Sequence, residues 1–273
     1  MPEPANPLRI AIAGANGRMG RAIFTAARGR ADVAVACGIE RAGDASVGAD
    51  FGVAAGGIAC GVSILDDPDK ALSSADVAID FSAPEAAAAL AERAAGHDVA
   101  MVIGATGFDA AQERRIAAAA QSVAIVKSGN MSLGVNLLTA LVEKAAAALP
   151  PAFDIEIVEA HHRRKVDAPS GTALMLGEAA AAGRSTPLQD CSVYDRTSSL
   201  EPRTEGAIGF AVIRGGGVIG EHEARFLSEK EVVTLGHHAL DRSLFADGAL
   251  AAAAWTRGRT PGLYSMRDVL NLS

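Results

Sequence analysis

The residues best suited to chemistry in this 273-residue sequence form one uninterrupted block, His161 to Thr172. Its first half is a run of two histidines, two arginines and a lysine, and an aspartate, a proline and a Ser-Gly-Thr turn follow in its second half. Arginine and lysine donate charge-assisted hydrogen bonds to carboxylate or phosphate groups, and histidine exchanges a proton near neutral pH. The block therefore predicts a site that binds an anion and donates a proton.

Two residues of the block are candidate proton donors. The run Phe153 to Ala160 alternates as a strand and delivers His161, so we expect its ring to project into a cleft between domains and not into the core. There the ring can donate a proton to a carbon or nitrogen that becomes basic as a hydride arrives. Lys165 can do the same or hold a carboxylate, and Asp167 is expected to orient or screen that lysine.

A second anion receptor is predicted where the block ends. Pro169 to Thr172 begins a helical segment, so the first backbone N–H groups and the Thr172 hydroxyl are open to an anion. Two receptors favour a dicarboxylate. The alternative is a solvated basic loop that binds phosphate loosely, with Ser170 serving only as a helix cap.

Other chemistries are disfavoured for this block. His161 and His162 with Asp167 could suggest a metal site, but the adjacent arginines and lysine would repel a cation, so we predict no metal. Ser170 lies in Pro-Ser-Gly-Thr and not in a GxSxG elbow, which argues against a serine hydrolase. The cysteines stand far from the block, which argues against a cysteine nucleophile.

A glycine-rich turn near the N-terminus is the second candidate site. The β-compatible run Leu8 to Ala13 ends in Gly14 to Gly20, and Arg21 to Arg28 then reads as a helix. Glycines permit a tight turn and the close approach of a pyrophosphate, whose charge meets the free N–H groups of the helix. The GxxGxxG spacing is a relative of the GxGxxG fingerprint, and by itself it equally fits an ordinary glycine-rich turn.

The next strand adds an acid and a base to this turn. The run Val33 to Ile39 ends in Glu40 and Arg41, so the acid follows the turn by about 20 residues, the offset of a ribose contact. Glu40 suits the adenosine ribose hydroxyls of NAD, and Arg41 suits the 2′-phosphate of NADP. The pair suggests tolerance of both cofactors, and the alternative is a solvated ion pair at a strand end.

The elements that position these residues alternate in the first half of the chain. Small polar loops repeatedly follow apolar runs and precede helical segments, at Ser82 to Pro84, Gly104 to Gly107 and Lys127 to Ser132. In an open parallel sheet such loops share the edge where a ligand lies, so they are candidate neighbours of a nicotinamide.

The pattern changes after a long helical segment, Leu133 to Leu149, which two prolines stop. Beyond it, the β-compatible runs Ile208 to Ile213, Val218 to Phe226 and Glu231 to Leu235 follow one another without helices, which predicts an antiparallel or mixed sheet. Leu240 to Trp255 returns to helix, and this tail could pack back on the first domain. We place a domain transition near the long helix.

Composition bounds the class of protein. The chain carries 32 acidic and 25 basic residues, a formal charge of −7, which argues against nucleic acid as a general partner. The first seven residues lack the apolar core of a signal peptide, and no stretch approaches the ~20 apolar residues of a membrane helix. Three widely spaced cysteines fit a reducing compartment, so we expect a soluble cytoplasmic protein; they are Cys37, Cys60 and Cys191.

Four segments together resemble a known family: Gly14 to Gly20, Gly104 to Gly107, Asn130 to Asn136 and Glu159 to Ala173. They are similar to the 4-hydroxy-tetrahydrodipicolinate reductase (dihydrodipicolinate reductase) family of the lysine and diaminopimelate pathway, and the match spans nearly the whole chain. The HHxxKxDxPSGT block is highly specific to it, whereas the glycine turn is shared with many dehydrogenases. The resemblance implies reduction of 4-hydroxy-tetrahydrodipicolinate to tetrahydrodipicolinate, with loss of water, by NADH or NADPH.

The resemblance also implies an α/β fold and a set of roles. A Rossmann-type parallel-sheet dinucleotide-binding domain (1–132 and 241–273) would carry an inserted α+β substrate and oligomerisation domain on a mixed sheet (133–240), in a homotetramer. His161 would be the proton donor or acceptor and Lys165 a second proton donor, while His162, Gly171 and Thr172 would hold the carboxylates of a small dicarboxylate substrate. The cofactor would be lined by Gly14, Ala15, Asn16, Gly17, Arg18, Met19, Glu40, Arg41, Gly104, Ala105, Thr106, Ser128, Gly129, Asn130 and Met131.

Two positions depart from the family pattern. Ala105 stands where a threonine is common, which removes one hydroxyl near the expected nicotinamide, and Gly129 stands where alanine or proline is frequent, which adds loop freedom. Neither removes a proposed proton donor. Two other functions stay open: a nicotinamide-dependent dehydrogenase of another small acid, and a dinucleotide sensor without catalysis, although a sensor gives no reason for His161 and Lys165.

Overall fold

A computed structural model describes residues 6–198 and 200–272 of the chain. Two compact units make up these residues. The first holds the described residues up to Ser132 together with Ser243–Asn271, and the second holds Leu133–Arg242. Residues 1–5, 199 and 273, which belong to the domains predicted from the sequence, lie outside the described part.

The first unit begins with strands and helices in alternation. In chain order these are β1 (Leu8–Ala13), α1 (Arg18–Arg28), β2 (Val33–Ile39), α2 (Phe51–Ala54), β3 (Ile64–Leu65), α3 (Pro68–Leu72), β4 (Val77–Asp80), α4 (Pro84–Gly96), β5 (Ala100–Ile103), α5 (Ala110–Ala119) and β6 (Ala124–Lys127). All four residues of β4 are buried, as a strand covered on both faces requires. The first helix starts at Arg18, three residues before the predicted start, and the short elements α2, β3 and α3 were not predicted.

The second unit opens with the long helix that was predicted from the sequence. Its elements are α6 (Leu133–Ala148), β7 (Asp154–His161), α7 (Gly171–Gly183), α8 (Leu188–Cys191), β8 (Ser192–Val193), β9 (Ile208–Arg214), β10 (Glu221–Leu227) and β11 (Val232–His238). The five strands run in the order β11-β10-β7-β9-β8. Because β10 is antiparallel to β7 and β11, whereas β9 is parallel to β7 and β8, the sheet is mixed, which confirms that prediction.

One face of the mixed sheet carries the core of the second unit. Ile155 and Ile157 of β7, two residues apart, pack with Phe226 of β10 and with apolar side chains of α6 and α7. Side chains two apart on a strand share a face, so the later residues of β7 with the same parity, Glu159 and His161, also lie on this face. The apolar pattern of β7 therefore decides where the first histidine of the block points.

The chain then returns to the first unit. It forms α9 (Leu244–Thr256), β12 (Gly262–Tyr264) and α10 (Met266–Val269). Strand β12, which was not predicted, pairs in parallel with β6 and makes the sheet seven-stranded, in the order β12-β6-β5-β4-β1-β2-β3. A buried stripe of α9 packs in the same apolar cluster as buried residues of α1. No helix within the described ranges is both long and apolar enough to cross a membrane.

The sheet of the first unit is the parallel α/β sheet that the sequence predicted. Successive strands run outward from β1 in both directions, since β2 lies on one side of it and β4 on the other. The carboxyl ends of β1 and β4, where Ala13 pairs with Asp80, therefore mark the point at which the strand order reverses. Open α/β sheets bind ligands in the crevice at this point.

Candidate active site

The glycine turn of the first unit has the geometry of a dinucleotide loop. Gly14 has φ +71°, a left-handed conformation that favours glycine, and Gly17 is the N-cap of α1 without a side-chain cap. A Cβ on Gly20 would overlap the backbone of Gly14 and Ala15, so this glycine permits close packing of the helix on the loop. The first N–H groups of an uncapped helix are open to an anion.

Glu40 is bound to the glycine turn itself. The backbone N–H of Asn16 donates to Glu40 Oε1 at 2.8 Å, and the Asn16 side chain donates to Asp44 Oδ1 at 3.4 Å. The structure therefore fixes one carboxylate oxygen of Glu40 against the turn, whereas the Arg41 side chain next to it is exposed. The acid at the end of the second strand is held by the turn, and it is not a member of a side-chain ion pair with Arg41.

A cavity of about 590 Å³ lies at the carboxyl ends of β1, β2 and β4. Four predicted cofactor residues line it, namely Gly14, Gly17, Glu40 and Arg41. Its residues fit a dinucleotide: a glycine turn, an uncapped helix start and an acid and a base at the strand end. The lining also includes Asp80 and Phe81, which the sequence analysis did not select although they directly precede the predicted loop at Ser82.

Asp80 is the most unusual group in this cavity wall. Its side chain is 1% exposed; Oδ1 accepts hydrogen bonds from the Ser82 backbone N–H and hydroxyl, and Oδ2 is buried without a partner among the described residues. Burial raises the pKa of this carboxyl above its ordinary value, although both bonds from Ser82 act in the opposite direction. The group is therefore a buried carboxyl with one acceptor oxygen unsatisfied within the described residues, at the point where the strand order reverses.

The two later loops of the first unit lie against each other. A Cβ on Gly129 would stand 3.6 Å from Thr106 Cγ2, and a Cβ on Gly104 would overlap the Phe81 ring. The Ser128 hydroxyl donates to the Asn130 carbonyl at 2.7 Å, which folds the second loop on itself. The predicted residues Gly104 to Thr106 and Ser128 to Asn130 are thus assembled at one sheet edge.

Four predicted cofactor residues have side chains that are partly or wholly in the core, and one of them, Ala105, is buried in an apolar cluster separate from that of the other three. Ala15 and Met131 are buried and belong to an apolar cluster, and Met19 packs against the same cluster. A ligand can meet Ala15 and Met131 only through their backbone. Arg18 differs, since its side chain is exposed at the start of α1.

The second unit places a buried carboxylate against the first histidine of the block. Glu159 Oε2 lies 2.5 Å from His161 Nδ1, and the two side chains are 1% and 11% exposed. Arg214 of β9 binds the same carboxylate through two nitrogens, each at 2.8 Å, and the Ser170 backbone N–H donates to Oε1 at 3.0 Å. Burial raises the pKa of Glu159, but these hydrogen bonds outweigh it, so the pKa lies below its ordinary value and the group is ionised.

A second histidine completes this cluster from β10. His222 lies opposite Glu159 in the sheet, and its ring meets that of His161 edge to face with centroids 5.0 Å apart. Its Nε2 is 3.1 Å from the Ser170 hydroxyl. Burial lowers the pKa of His222 to about 4, so this ring is neutral at physiological pH.

The pKa of His161 is also lowered, which favours the neutral ring at pH 7. Burial lowers its pKa, and Glu159, which acts to raise it, does not compensate. The positive charges of Lys165 and Arg214 lower it further. An anion bound beside the ring would act in the opposite direction, since a nearby negative charge favours the imidazolium form.

Ser170 and Asp167 connect the rest of the block to this cluster. Ser170 caps α7 by accepting from the Ala173 N–H at 3.2 Å, so the predicted helix start and its cap are both present. Lys165 is paired with Asp167 at 2.7 Å, as expected, and this hydrogen bond lowers the pKa of Asp167. The Asp167 carbonyl accepts from Arg214 at 2.6 Å, which ties the loop to the buried carboxylate. His162 is partly buried, and its Nδ1 has no partner among the described residues.

The ligand atoms of Glu159, His161 and His222 lie within 4.8 Å of one another, a grouping that could hold a metal ion. It differs from the set weighed in the sequence, which had Asp167 as the acid. Both oxygens of Glu159 already accept hydrogen bonds, and a cation there would meet the Arg214 guanidinium at close range. The donor set therefore suits proton transfer better than metal binding.

Three residues of this cluster were missed in the sequence. Glu159 could have been selected, because the alternation of β7 places it two residues before His161 on the same face. Arg214 and His222 gave no local signal. Strand pairing brings both residues to this cluster. Arg214 lies 55 residues from Glu159 in the sequence, and His222 lies 52 residues from Ser170, whose hydroxyl it contacts.

Comparison with known proteins identifies the family. Residues 8–131 match the family model described as dihydrodipicolinate reductase, N-terminus, and residues 134–270 match that described as dihydrodipicolinate reductase, C-terminus. Among curated relatives, the 4-hydroxy-tetrahydrodipicolinate reductase of Caulobacter vibrioides is 54% identical over 97% of this chain and 98% of its own. That of Rhizobium rhizogenes is 51% identical over 97% of both chains.

Solved structures share the fold. Dipicolinate-bound dihydrodipicolinate reductase from Paenisporosarcina sp. TG-14 superposes with a TM-score of 0.77 at 22% identity, covering 95% of this chain and 97% of that one. An amine dehydrogenase from Mycobacterium smegmatis gives a TM-score of 0.65 at 14% identity, with 96% and 95% covered. With both halves matched by the family models and relatives more than half identical over nearly their whole length, the chain belongs to the dihydrodipicolinate reductase family.

Proposed function

We propose that this chain catalyses the reduction of 4-hydroxy-tetrahydrodipicolinate to tetrahydrodipicolinate, with loss of water, in lysine and diaminopimelate biosynthesis. The observation that carries the proposal is the His161 ring held by a buried carboxylate beside the Ser170-capped start of α7. That arrangement pairs a proton-exchanging group with an anion receptor, which is what reduction of an anionic substrate requires. It stands in a chain that is 54% identical to a relative of that name.

The cofactor in this proposal is NADH or NADPH, which supplies the hydride when bound. Gly14 to Met19 would receive the pyrophosphate, with backbone N–H groups at the start of α1 as donors. Glu40 would meet the ribose with the part of its carboxylate that Asn16 does not occupy, and the exposed Arg41 would meet a 2′-phosphate. The loops at Gly104 to Thr106 and Ser128 to Met131 would flank the nicotinamide.

His161 and Lys165 would handle the protons. The neutral His161 ring gains basicity when a dianion arrives, because the substrate charge offsets the effects of burial and of Lys165 and Arg214 on its pKa. The ring therefore takes up a proton as the substrate binds and releases it during the reaction. Lys165, paired with Asp167, would be the second donor.

Two groups of donors would hold the substrate carboxylates. Gly171 and Thr172 lie in the first turn of α7, where backbone N–H groups favour an anion, and His162 adds a ring nitrogen on the other side of the block. A dicarboxylate matches these two receptors, and the solved relative from Paenisporosarcina is described as dipicolinate-bound.

A turnover assay tests the proposed reaction. The purified protein is mixed with enzymatically generated 4-hydroxy-tetrahydrodipicolinate and either cofactor, and nicotinamide absorbance is followed. We expect substrate-dependent oxidation of NADH, NADPH or both. Absence of consumption with both cofactors would refute the proposed reaction.

Assembly and location complete the proposal. The mixed sheet turns Ile213 and Val232, each 56% exposed, to the face opposite its core, and such apolar side chains suit a contact between copies of the chain. We expect a homotetramer, to be tested by light scattering after size exclusion. Reduced nicotinamide cofactors and free cysteines are typical of the cytoplasm, where we place the enzyme.

A further inference from the structure

The buried carboxylate of Glu159 decides which nitrogen of His161 carries a proton. An ionised carboxylate can only accept hydrogen bonds, and Glu159 is ionised, so His161 Nδ1 must be the donor across their 2.5 Å contact. A neutral imidazole has one N–H, so its Nε2 is then an acceptor. The pair thereby selects one tautomer of the ring.

The second ring nitrogen of His161, Nε2, lies beside Gly220. The position of a Cβ on Gly220 would be 3.1 Å from His161 Nε2 and 3.5 Å from Cδ2 of the same ring. Since glycine has no Cβ, this side of Nε2 is left open by the backbone that leads into β10. The ring is therefore bound at Nδ1, and Gly220 places no side chain on its own side of Nε2.

Two further groups keep Glu159 in place. Arg214 holds both carboxylate oxygens from the neighbouring strand, and the Ser170 N–H binds Oε1 at the start of α7. Together with His161, four hydrogen bonds converge on one carboxylate. Because Ser170 also caps the helix that is proposed to bind a substrate carboxylate, the same acid links the ring and the anion receptor.

We propose that Glu159, held by Arg214, is a positioning residue for His161: it keeps the proton on Nδ1 and so makes Nε2 the nitrogen that exchanges a proton with the substrate. When Nε2 takes up a proton, the imidazolium is stabilised by the adjacent carboxylate, and when it releases the proton to the substrate the ring returns to the same tautomer. The role parallels that of the carboxylate in a histidine-carboxylate pair of hydrolases. This inference rests on the proposed function, because it assigns a role within that reaction.

Replacement of Glu159 by glutamine tests the assignment. Glutamine preserves shape but removes the charge and brings an NH₂ group among donors from Arg214 and Ser170, so the tautomer is no longer enforced. We expect kcat to fall by at least about 10-fold, with KM for the cofactor changed by less than about 2-fold; loss of such a supporting carboxylate typically costs this much or more. The limb of the pH–rate profile that reports on the protonated ring moves to lower pH.

Glu156→Gln is the matched control. Glu156 is on the same strand and also pairs with an arginine, Arg203, but its side chain lies on the opposite face from His161. We expect this variant to keep the kcat and the pH profile of the parent chain. Equal effects of the two substitutions would mean that Glu159 acts only through the stability of β7.

A spectroscopic measurement on the unmodified chain makes the inference independent of turnover and of the folding of a variant. The ¹⁵N shifts of the His161 ring, assigned with His161→Gln, report the tautomer above the pKa of the ring. We expect the Nδ1–H form to dominate, and an Nε2–H form would overturn the assignment even if the enzyme is active. If the chain does not turn over the proposed substrate but shows the Nδ1–H form, the proposed function fails while the pairing of Glu159 with His161 stands.

Discussion

Substitution of Gly220 by alanine places a methyl group at the nitrogen that we assign to proton exchange. The ideal Cβ lies 3.1 Å from His161 Nε2, about 0.4 Å inside the ~3.5 Å at which non-bonded atoms attract. The ring cannot easily retreat, because Nδ1 is bound to Glu159 at 2.5 Å. The methyl therefore displaces the ring by a few tenths of an ångström or occupies space that a reacting atom needs.

The expected fall in kcat follows from how steeply the rate of a reaction falls when the reacting groups are displaced. A displacement of about 1 Å costs on the order of 100-fold in rate, so a smaller shift combined with a blocked approach predicts a fall in kcat of about 10- to 100-fold. Overpacking of this kind also costs about 1–3 kcal/mol of stability. Gly220 has no left-handed φ, so backbone strain does not add to this.

Steady-state oxidation of the nicotinamide cofactor and thermal unfolding are the two assays. Gly217→Ala is the control, because a Cβ there meets nothing within 4 Å and the residue belongs to the same connection between β9 and β10. We expect the control to retain kcat and Tm. If Gly220→Ala turns over at the rate of Gly217→Ala while His161→Gln is inactive, Nε2 is not approached from this side and the reasoning is wrong.

Further substitutions test the remaining roles. His161→Gln lowers turnover far more than cofactor binding, measured by titration of NADPH fluorescence; equal losses would indicate a structural histidine. Lys165→Met lowers kcat in the same assay, and unchanged kinetics would remove that lysine from the mechanism. Arg41→Ala raises KM for NADPH more than KM for NADH, because only NADPH has the 2′-phosphate, and parallel changes would refute that contact. Asp80→Asn stabilises the first unit at pH 7 by on the order of 1 kcal/mol, since it removes a buried carboxylate whose Oδ2 lacks a partner among the described residues.

The pH dependence of the Asp80 variant follows from the direction of its pKa shift. The folded pKa is raised above 3.8, so the folded chain binds this proton more tightly than the unfolded chain. The loss of folding stability caused by ionised Asp80 is absent at pH values below the pKa that Asp80 has in the unfolded chain. This loss grows as the pH rises above that value, and it is complete above the pKa that Asp80 has in the folded chain. The advantage of Asp80→Asn in Tm should therefore vanish as pH falls towards 3.8, and an advantage that persists there has another cause.

Local sequence determined the parts of this protein that depend on neighbouring residues. The strand, glycine turn and helix at Leu8–Arg28 are specified by a short apolar run, by a glycine at φ +71° and by an uncapped helix start. The Ser170 cap of α7 and the pairing of Lys165 with Asp167 are also short-range. The HHxxKxDxPSGT block identified the family for the same reason, since all of its residues are consecutive.

Tertiary structure decided what supports the first histidine of that block. Arg214 reaches Glu159 because β9 pairs in parallel with β7, and His222 reaches it because β10 pairs antiparallel on the other side. The residues next to Arg214 and His222 in the sequence do not specify either strand register, because strand pairing depends on the whole sheet and on the helices that cover it. The sequence could therefore single out His161 as the candidate proton donor, whereas the carboxylate network that we propose selects its reactive nitrogen forms only when strands distant in the sequence are aligned in one sheet.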